Sequence, residues 1–180
     1  MPFIATHILV VIILIELFRK YWIKSNKKFP RYYIFIATIG AILPDFDFVI
    51  YYIGYFFGFT INQIHRTFLH TFFIPIALFL IGLGVYKLGI KYEAFWQRHI
   101  TLSTTFFILA AGSLIHLLLD FGISGKIMPF YPLATYTIGY DIRALFPEDW
   151  KDIIFPTIDA VLLLFWIFWL NFKLKIDDYF

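Results

Sequence analysis

The run FFIPIALFLIGLGVY, residues 72–86, contains no charged side chain and decides the fold class. Three further runs are almost as apolar, over residues 2–17, 108–119 and 160–170. Of the 180 residues, 61% are hydrophobic and only 15% are charged, which is more apolar surface than a soluble domain of this length can hide. The sequence therefore predicts an integral membrane protein.

The length of these runs favours helices that cross the membrane. A bilayer core of about 30 Å needs about 20 mostly apolar residues per helix, and the backbone in lipid must satisfy its own hydrogen bonds. The runs are continuous and do not alternate as the strands of a barrel do. We expect an all-α, polytopic membrane helical bundle with about five transmembrane helices, and residues 1–180 as one transmembrane domain. The predicted spans are 3–22, 31–53, 70–90, 100–121 and 154–174.

Lysine and arginine are concentrated in segments that would share one side of the membrane. Eleven of the 15 lie between spans one and two, between spans three and four, or after span five. Because such residues are retained in cytoplasmic loops, the N-terminus is predicted outside and the C-terminus inside. The net charge of +3 is then a topology signal, and no nucleic-acid partner is expected. The segment 121–153, rich in glycine and proline, becomes an external loop that could cover a site at the membrane face.

A set of ionisable side chains falls at the outer ends of the predicted spans. Such groups are expensive at membrane depth, so each is a functional candidate. Four of the five histidines belong to the set, and none of its members entered the charge count that fixed the orientation. Their shared depth predicts a single site. The predicted metal ligands are His7, Asp45, Asp47, His65, His70, His116 and Asp120.

The spacing of these residues adds local geometry. His116 and Asp120 are four residues apart, so one helical face presents an imidazole and a carboxylate together. His65 and His70 are five apart and miss a common helical face, so at least one of them is expected on a turn entering span three.

A proline interrupts the second span at its outer part. Pro44 disfavours helical geometry at Leu43 and removes one backbone donor. A distortion at this point could turn both Asp45 and Asp47 toward one centre, which a regular helix would not do at a spacing of two.

The donor types indicate which metals would bind. The chain has no cysteine, so thiolate ligands are excluded, and imidazoles with carboxylates suit zinc, manganese or iron better than calcium. Zinc is the first choice among these divalent metals. Seven ligands exceed the needs of one tetrahedral ion, and two ions about 3.5–4 Å apart, bridged by a carboxylate, would use them. We therefore expect one or two ions.

The order of these motifs resembles that of the LexA-regulated, inner-membrane metal-dependent hydrolase family, itself similar in motif order to zinc-dependent phospholipase C and P1 nuclease. The resemblance covers about residues 5–120. Thr67 stands where that family commonly has a small residue, and Thr71 where serine is frequent. The matching motifs are Thr6-His7, Pro44-Asp45-Phe46-Asp47, His65-Arg66 through His70-Thr71, and His116 through Asp120.

The resemblance implies hydrolysis, with a phosphate ester as the expected substrate class. Arg66 could grip a phosphate bidentately, although an arginine reaching the lipid headgroups is an equal alternative. Asp45 or Asp47, if not bound to metal, could act as general base. A site at the outer membrane face suggests a membrane lipid or a lipid-linked phosphate as substrate. Asp159 lies beyond the matching motifs and is only a possible late ligand.

Two other classes of function fit the same residues. A transporter of metal ions or protons could use the His/Asp cluster, but it would need polar groups that continue toward the cytoplasm, and spans three and five offer almost none there. A structural or regulatory membrane protein that keeps the motifs without catalysis is the third reading.

Overall fold

The computed structural model of the protein describes residues 4–25, 29–89, 101–123 and 125–174. These residues are predominantly helical, and the β-type pairing found among them is one isolated antiparallel bridge between Ile127 and Ile138. The predicted all-α class is confirmed. The α-helices are α1 (Ile4–Leu17), α2 (Tyr32–Ile42), α3 (Asp47–Tyr55), α4 (Ile61–Ile64), α5 (Phe73–Lys87), α6 (Leu102–Ile123) and α7 (Lys151–Trp169).

Three helical stretches in the described part of the chain are long and apolar enough to cross a membrane. They are Tyr32–Tyr55, Leu102–Ile123 and Glu148–Phe172. The other two predicted spans are shorter helices: α5 has 15 residues, and α1 has 14 before it continues as a π-helical turn, Phe18–Ile23. That turn carries Arg19 and Lys20, whose charges interrupt the apolar run. The chain is thus a helical membrane protein, while the count of five remains a prediction.

The orientation also remains a prediction. Five of the cations on which it depends, Lys27, Lys28, Lys91, Arg98 and Lys175, lie outside the described residues.

The core is built by α1, α2 and α6, whose small and branched side chains interlock. Outward-facing residues such as Leu80, Leu164 and Phe168 are large, apolar and exposed, as expected for a surface that meets lipid. The buried cluster comprises Val11, Ile15, Phe29, Tyr33, Ile34, Ala37, Ala41 and Ile108.

Helices α2 and α6 approach each other closely enough that their backbones nearly touch. A Cβ added to Gly112 would lie 2.2 Å from the carbonyl oxygen of Ala37, and one added to Gly40 would lie 2.4 Å from that of Leu109. Small residues allow this approach between membrane helices. Gly112 precedes His116 by about one helical turn, so the close contact holds the polar end of α6 against the end of α2.

We expect Gly112→Ala to destabilise the protein by about 1–3 kcal/mol, because the new methyl group would collide with backbone that cannot move aside. Thermal unfolding in detergent would measure the effect. Gly84→Ala is the matched control, since a Cβ there meets nothing within 4 Å. Equal melting temperatures for the two variants would contradict the role assigned to this contact.

The segment after α6 is an ordered loop tied back to the bundle. The amide of Phe72 donates to the carbonyl of Pro129 at 2.9 Å, and that of Tyr140 donates to Phe121 at 2.8 Å. The loop includes two 3-10 helices, Ile142–Leu145 and Glu148–Trp150. These short helices match the irregular segment predicted over 121–153, although α6 extends two residues further than predicted.

Asp141 begins the first of these 3-10 helices and stiffens the loop. Its carboxylate accepts from the backbone amide of Arg143 at 3.0 Å and pairs with the Arg143 guanidinium at 2.7 Å. Hydrogen bonds from this guanidinium hold the pKa of Asp141 below its usual range. The carboxylate therefore stays ionised, and keeps its partner, through the mildly acidic range.

Candidate metal centre

The seven candidate ligands lie at one end of the bundle. That end is formed by the start of α1, the junction of α2 and α3, the turn before α5 and the end of α6. Each candidate contacts at least one other across elements far apart in sequence.

The local backbone at each motif explains this arrangement. Leu43–Phe46 forms a 3-10 turn that includes Pro44, so the predicted distortion of the second span is present. His65 is extended at the end of α4, and His70 lies in the turn before α5. The expectation that one of these histidines would lie on a turn is therefore confirmed.

Four side-chain atoms form the compact part of the site. The Nε2 atom of His70 lies 3.5 Å from Asp45 Oδ1 and 3.3 Å from Asp120 Oδ2. The Nε2 atoms of His70 and His116 are 3.4 Å apart. His116 Nε2 lies 3.7 Å from each of the same two carboxylate oxygens.

These distances can be compared with the edges of a coordination tetrahedron. Nitrogen and oxygen ligands lie about 2.0–2.2 Å from zinc, so tetrahedral ligand atoms are about 3.3–3.6 Å apart. The five measured distances, from 3.3 to 3.7 Å, fall in or close to that range. Two imidazole nitrogens and two carboxylate oxygens also form a suitable donor set for zinc, manganese or iron. Five of the six separations among the four atoms are thus suited to ligands of a single ion.

His7 extends the site on the other side of Asp120. Its Nε2 atom lies 3.4 Å from Asp120 Oδ1, the carboxylate oxygen that does not face His70. Its ring stacks on that of His116, with centroids 4.0 Å apart. His7, His116 and Asp120 can also bring three donor atoms within 4.8 Å of one another. Asp120 therefore lies between two possible ion positions.

Asp47 lies behind His70, on the opposite side of the imidazole from the four-atom set. Its Oδ2 atom is 2.9 Å from His70 Nδ1 and 3.0 Å from His65 Nδ1. The same oxygen accepts from the backbone amide of Arg66 at 2.9 Å. Asp47, His65 and His70 could also hold an ion as a group of three.

Most of the cluster is removed from solvent. His70 and His116 are fully buried, while the side chain of Asp45 keeps 11% of its exposure. Within the described part of the chain, five ring nitrogens of the cluster are buried without a hydrogen-bond partner: both nitrogens of His7, Nδ1 of His70, Nδ1 of His116 and Nε2 of His65. Buried polar atoms that lack partners are costly, and such a cost is common where function requires it.

Arg66 approaches the cluster from the loop side. Its guanidinium lies 3.9 Å from Asp120 Oδ1 and donates to the carbonyl of Lys126 at 3.4 Å. Its backbone has a φ of 62°, in the left-handed region that non-glycine residues rarely adopt. The spacing of the motifs does not predict this conformation, which aims the amide of Arg66 at Asp47.

Asp159 does not join the cluster. It accepts a hydrogen bond from the hydroxyl of Thr6, the residue before His7, and so links α7 to α1. Its expected role as a late metal ligand remains untested, but the observed partner is a hydroxyl group.

We expect Thr6→Val to destabilise the protein by about 1 kcal/mol, because Asp159 would lose a hydrogen bond at membrane depth. Thermal unfolding would measure the loss, and Thr6→Ser is the control that keeps the hydroxyl. Bound metal should stay unchanged in both variants. A fall in metal content with Thr6→Val alone would instead connect Asp159 with the metal centre.

Comparisons with known proteins give the family of the chain. No curated protein and no solved structure matches it. The family model of the YdjM inner membrane proteins matches residues 1–175, which include every residue of the cluster. A match over that length agrees with the apolar helices of the fold. The chain therefore belongs to the YdjM inner membrane protein family.

Proposed function

We propose that this protein is a membrane-embedded metal-dependent hydrolase, a phosphoesterase that acts on a lipid or lipid-linked phosphate at the outer membrane face. The observation that carries the proposal is the set of four donor atoms from three separate segments, with five of their six separations between 3.3 and 3.7 Å. The motif order noted in the sequence supports the same chemistry.

Asp45, His70, His116 and Asp120 would hold the principal ion, with zinc as first choice and manganese or iron as alternatives. The second oxygen of Asp120 and the Nε2 atom of His7 favour a second ion position beside the first. A divalent ion in this place supplies an acidified water and a Lewis acid for a phosphoryl oxygen.

Asp47, which the sequence suggests as a ligand or base, is better suited to a supporting role. A carboxylate that accepts from Nδ1–H of a histidine fixes the tautomer and directs Nε2 outward, as around many metal sites. Asp47 Oδ2 lies 2.9 Å from His70 Nδ1, close enough for this role, and it forms a hydrogen bond with His65 Nδ1. Of the carboxylates in the cluster, Asp45 is the most exposed, so it would be the ligand that gives way to the attacking water and, once free of the ion, accepts a proton from it.

Arg66 is the proposed phosphate-binding residue, because its guanidinium lies at the edge of the cluster and its side chain keeps 20% of its exposure. We expect Arg66→Gln to raise KM about tenfold or more, since a charge-assisted hydrogen bond is lost. Steady-state hydrolysis over a range of substrate concentrations measures this change. Arg66→Lys should recover part of the loss, and an unchanged KM in Arg66→Gln would remove Arg66 from the proposal.

The function is tested with protein purified in detergent, stripped of metal and reloaded with zinc, manganese or iron. Release of phosphate or headgroup is then measured over a panel of phospholipids, lipid monophosphates and lipid pyrophosphates. We expect turnover of at least one class, restored by metal and absent without it. Turnover that does not depend on metal would overturn the proposal.

Ion transport is the rival function, and the structure of α1 argues against it. Residues 8–15, between His7 and Glu16, are all apolar. Glu16 is buried and paired with Arg19, whose Nε donates to it at 2.8 Å. An ion leaving the cluster would find no polar side chain along that stretch of α1. Metal flux into liposomes without lipid hydrolysis would nevertheless favour the transporter.

A further inference from the structure

We infer that a cavity beside the metal centre binds one hydrocarbon chain of the substrate, so that the enzyme selects long-chain phosphate esters over water-soluble ones. This inference rests on the proposed function. The cavity has a volume of about 680 Å³ and lies between α3, α4 and the loop after α6. Its walls include Ile50, Ile53, Phe59, Ile64, Phe68 and Met128.

The position of the cavity connects it with the proposed chemistry. Asp47 forms part of its wall, and the same carboxylate contacts both His65 and His70. Another part of the wall is residues 67–69, the segment between those two histidines. A chain in this cavity would therefore hold its headgroup beside Asp47 and His65, one imidazole ring away from the four-atom set.

The lining of the cavity indicates a hydrocarbon occupant. Apart from Asp47, its polar side chains are the uncharged Gln63, Thr67, Tyr131 and Thr135. In the described structure Thr67 already donates to the carbonyl of Ile64. A sugar or nucleotide would need more polar partners than this wall supplies. The volume of the cavity is within the range of pockets that enclose a small ligand.

A second apolar cavity provides an internal comparison. It has a volume of about 450 Å³, lies between α5 and α6, and is lined by residues such as Ile76 and Phe107. None of the seven candidate ligands lines it. A chain bound there would have no connection with the centre, so the two cavities make different predictions.

The inference is tested by binding, which does not require turnover. The probe is a hexadecyl phosphonate with a photoreactive group at the chain end, applied to metal-loaded protein in nanodiscs. We expect labelling of peptides from α3 and from the loop around Met128. Competing alkyl phosphonates, compared at equal concentrations in the nanodisc lipid, should displace the probe best at the chain length that fills the cavity.

Two substitutions that fill the cavity from different elements, Ile50→Trp on α3 and Met128→Trp in the loop after α6, should each weaken binding of the hexadecyl probe at least tenfold and flatten the length series. Ile76→Trp is the matched control in the second cavity: Ile50 is 48% exposed and Ile76 is 50% exposed. Ile76→Trp should leave the series unchanged. Bound metal in each variant verifies that the centre remains folded, and the two filling variants guard against a failure of one to fold.

The result that would overturn the inference is labelling at the second cavity, or a length series that is the same in wild type and in both filling variants. Failure of the proposed function looks different. A short ester such as butyl phosphate should be hydrolysed equally by wild type and Ile50→Trp if the function holds. Long-chain binding that responds to Ile50→Trp, without metal-dependent release of phosphate from any ester, would support the cavity as a chain-binding site and contradict the hydrolase proposal.

Discussion

Replacing His116 or His70 with alanine is expected to reduce bound metal from about one ion per chain to almost none. Each histidine contributes an Nε2 atom to the set of four donors, and these two atoms lie 3.4 Å apart. Removing either would leave three donors and a buried gap where the fourth had been. Elemental analysis of protein purified in detergent, followed by titration with zinc, would measure both stoichiometry and affinity.

The control for this experiment is His99→Ala, which removes the remaining histidine of the chain. The sequence places it at the opposite end of span four, so its loss should leave bound metal unchanged. Asp47→Asn should give an intermediate result, about 10–100-fold weaker binding, because supporting residues have effects of that size. Full metal content in both His70→Ala and His116→Ala would end the proposal of a metal centre.

The fold class was predictable because lipid leaves few options for the backbone. Long apolar runs such as residues 72–86 and 160–170 indicate helices, and helices are found there. The boundaries were less predictable: span three was expected to begin at residue 70, but α5 begins at Phe73. Residues 65–72 form turns that bring two histidines to Asp47, and this tertiary contact outweighs the local apolar pattern.

The membership of the cluster followed from depth alone, since each candidate lies near the same end of a predicted span. The contacts that each residue makes within the cluster could not be predicted in this way. His70 presents one ring nitrogen to Asp47 and the other to Asp120, and sequence spacing does not specify the orientation of a ring. The left-handed backbone conformation of Arg66 could not be predicted either, because arginine has no preference for that conformation. The hydrogen bond from its amide to Asp47 explains why Arg66 adopts it.

Asp120→Asn is expected to cause the largest loss of phosphate release, more than about 100-fold. The reason is that each of the two carboxylate oxygens of Asp120 lies near the Nε2 atom of a different histidine. One carboxylate oxygen lies 3.3 Å from His70 Nε2, and the other lies 3.4 Å from His7 Nε2. The amide is nearly isosteric, but it replaces one oxygen by a hydrogen-bond donor and removes the negative charge that a cation requires. Initial rates on the best lipid phosphate, at saturating metal, would measure the effect.

A comparison with Asp47→Asn makes this prediction specific. Asp47 has the same side chain and similar burial, and it lies on the same histidine, but at Nδ1, away from the four-atom set. If the ion lies between Nε2 of His70 and Asp120, the Asp47 variant should lose only about 10–100-fold, and high metal concentrations should recover part of its rate. The reverse order, with Asp47→Asn the more damaging, would move the ion to the other side of His70, among Asp47 and His65. The ranking of two isosteric substitutions therefore tells which nitrogen of His70 faces the ion.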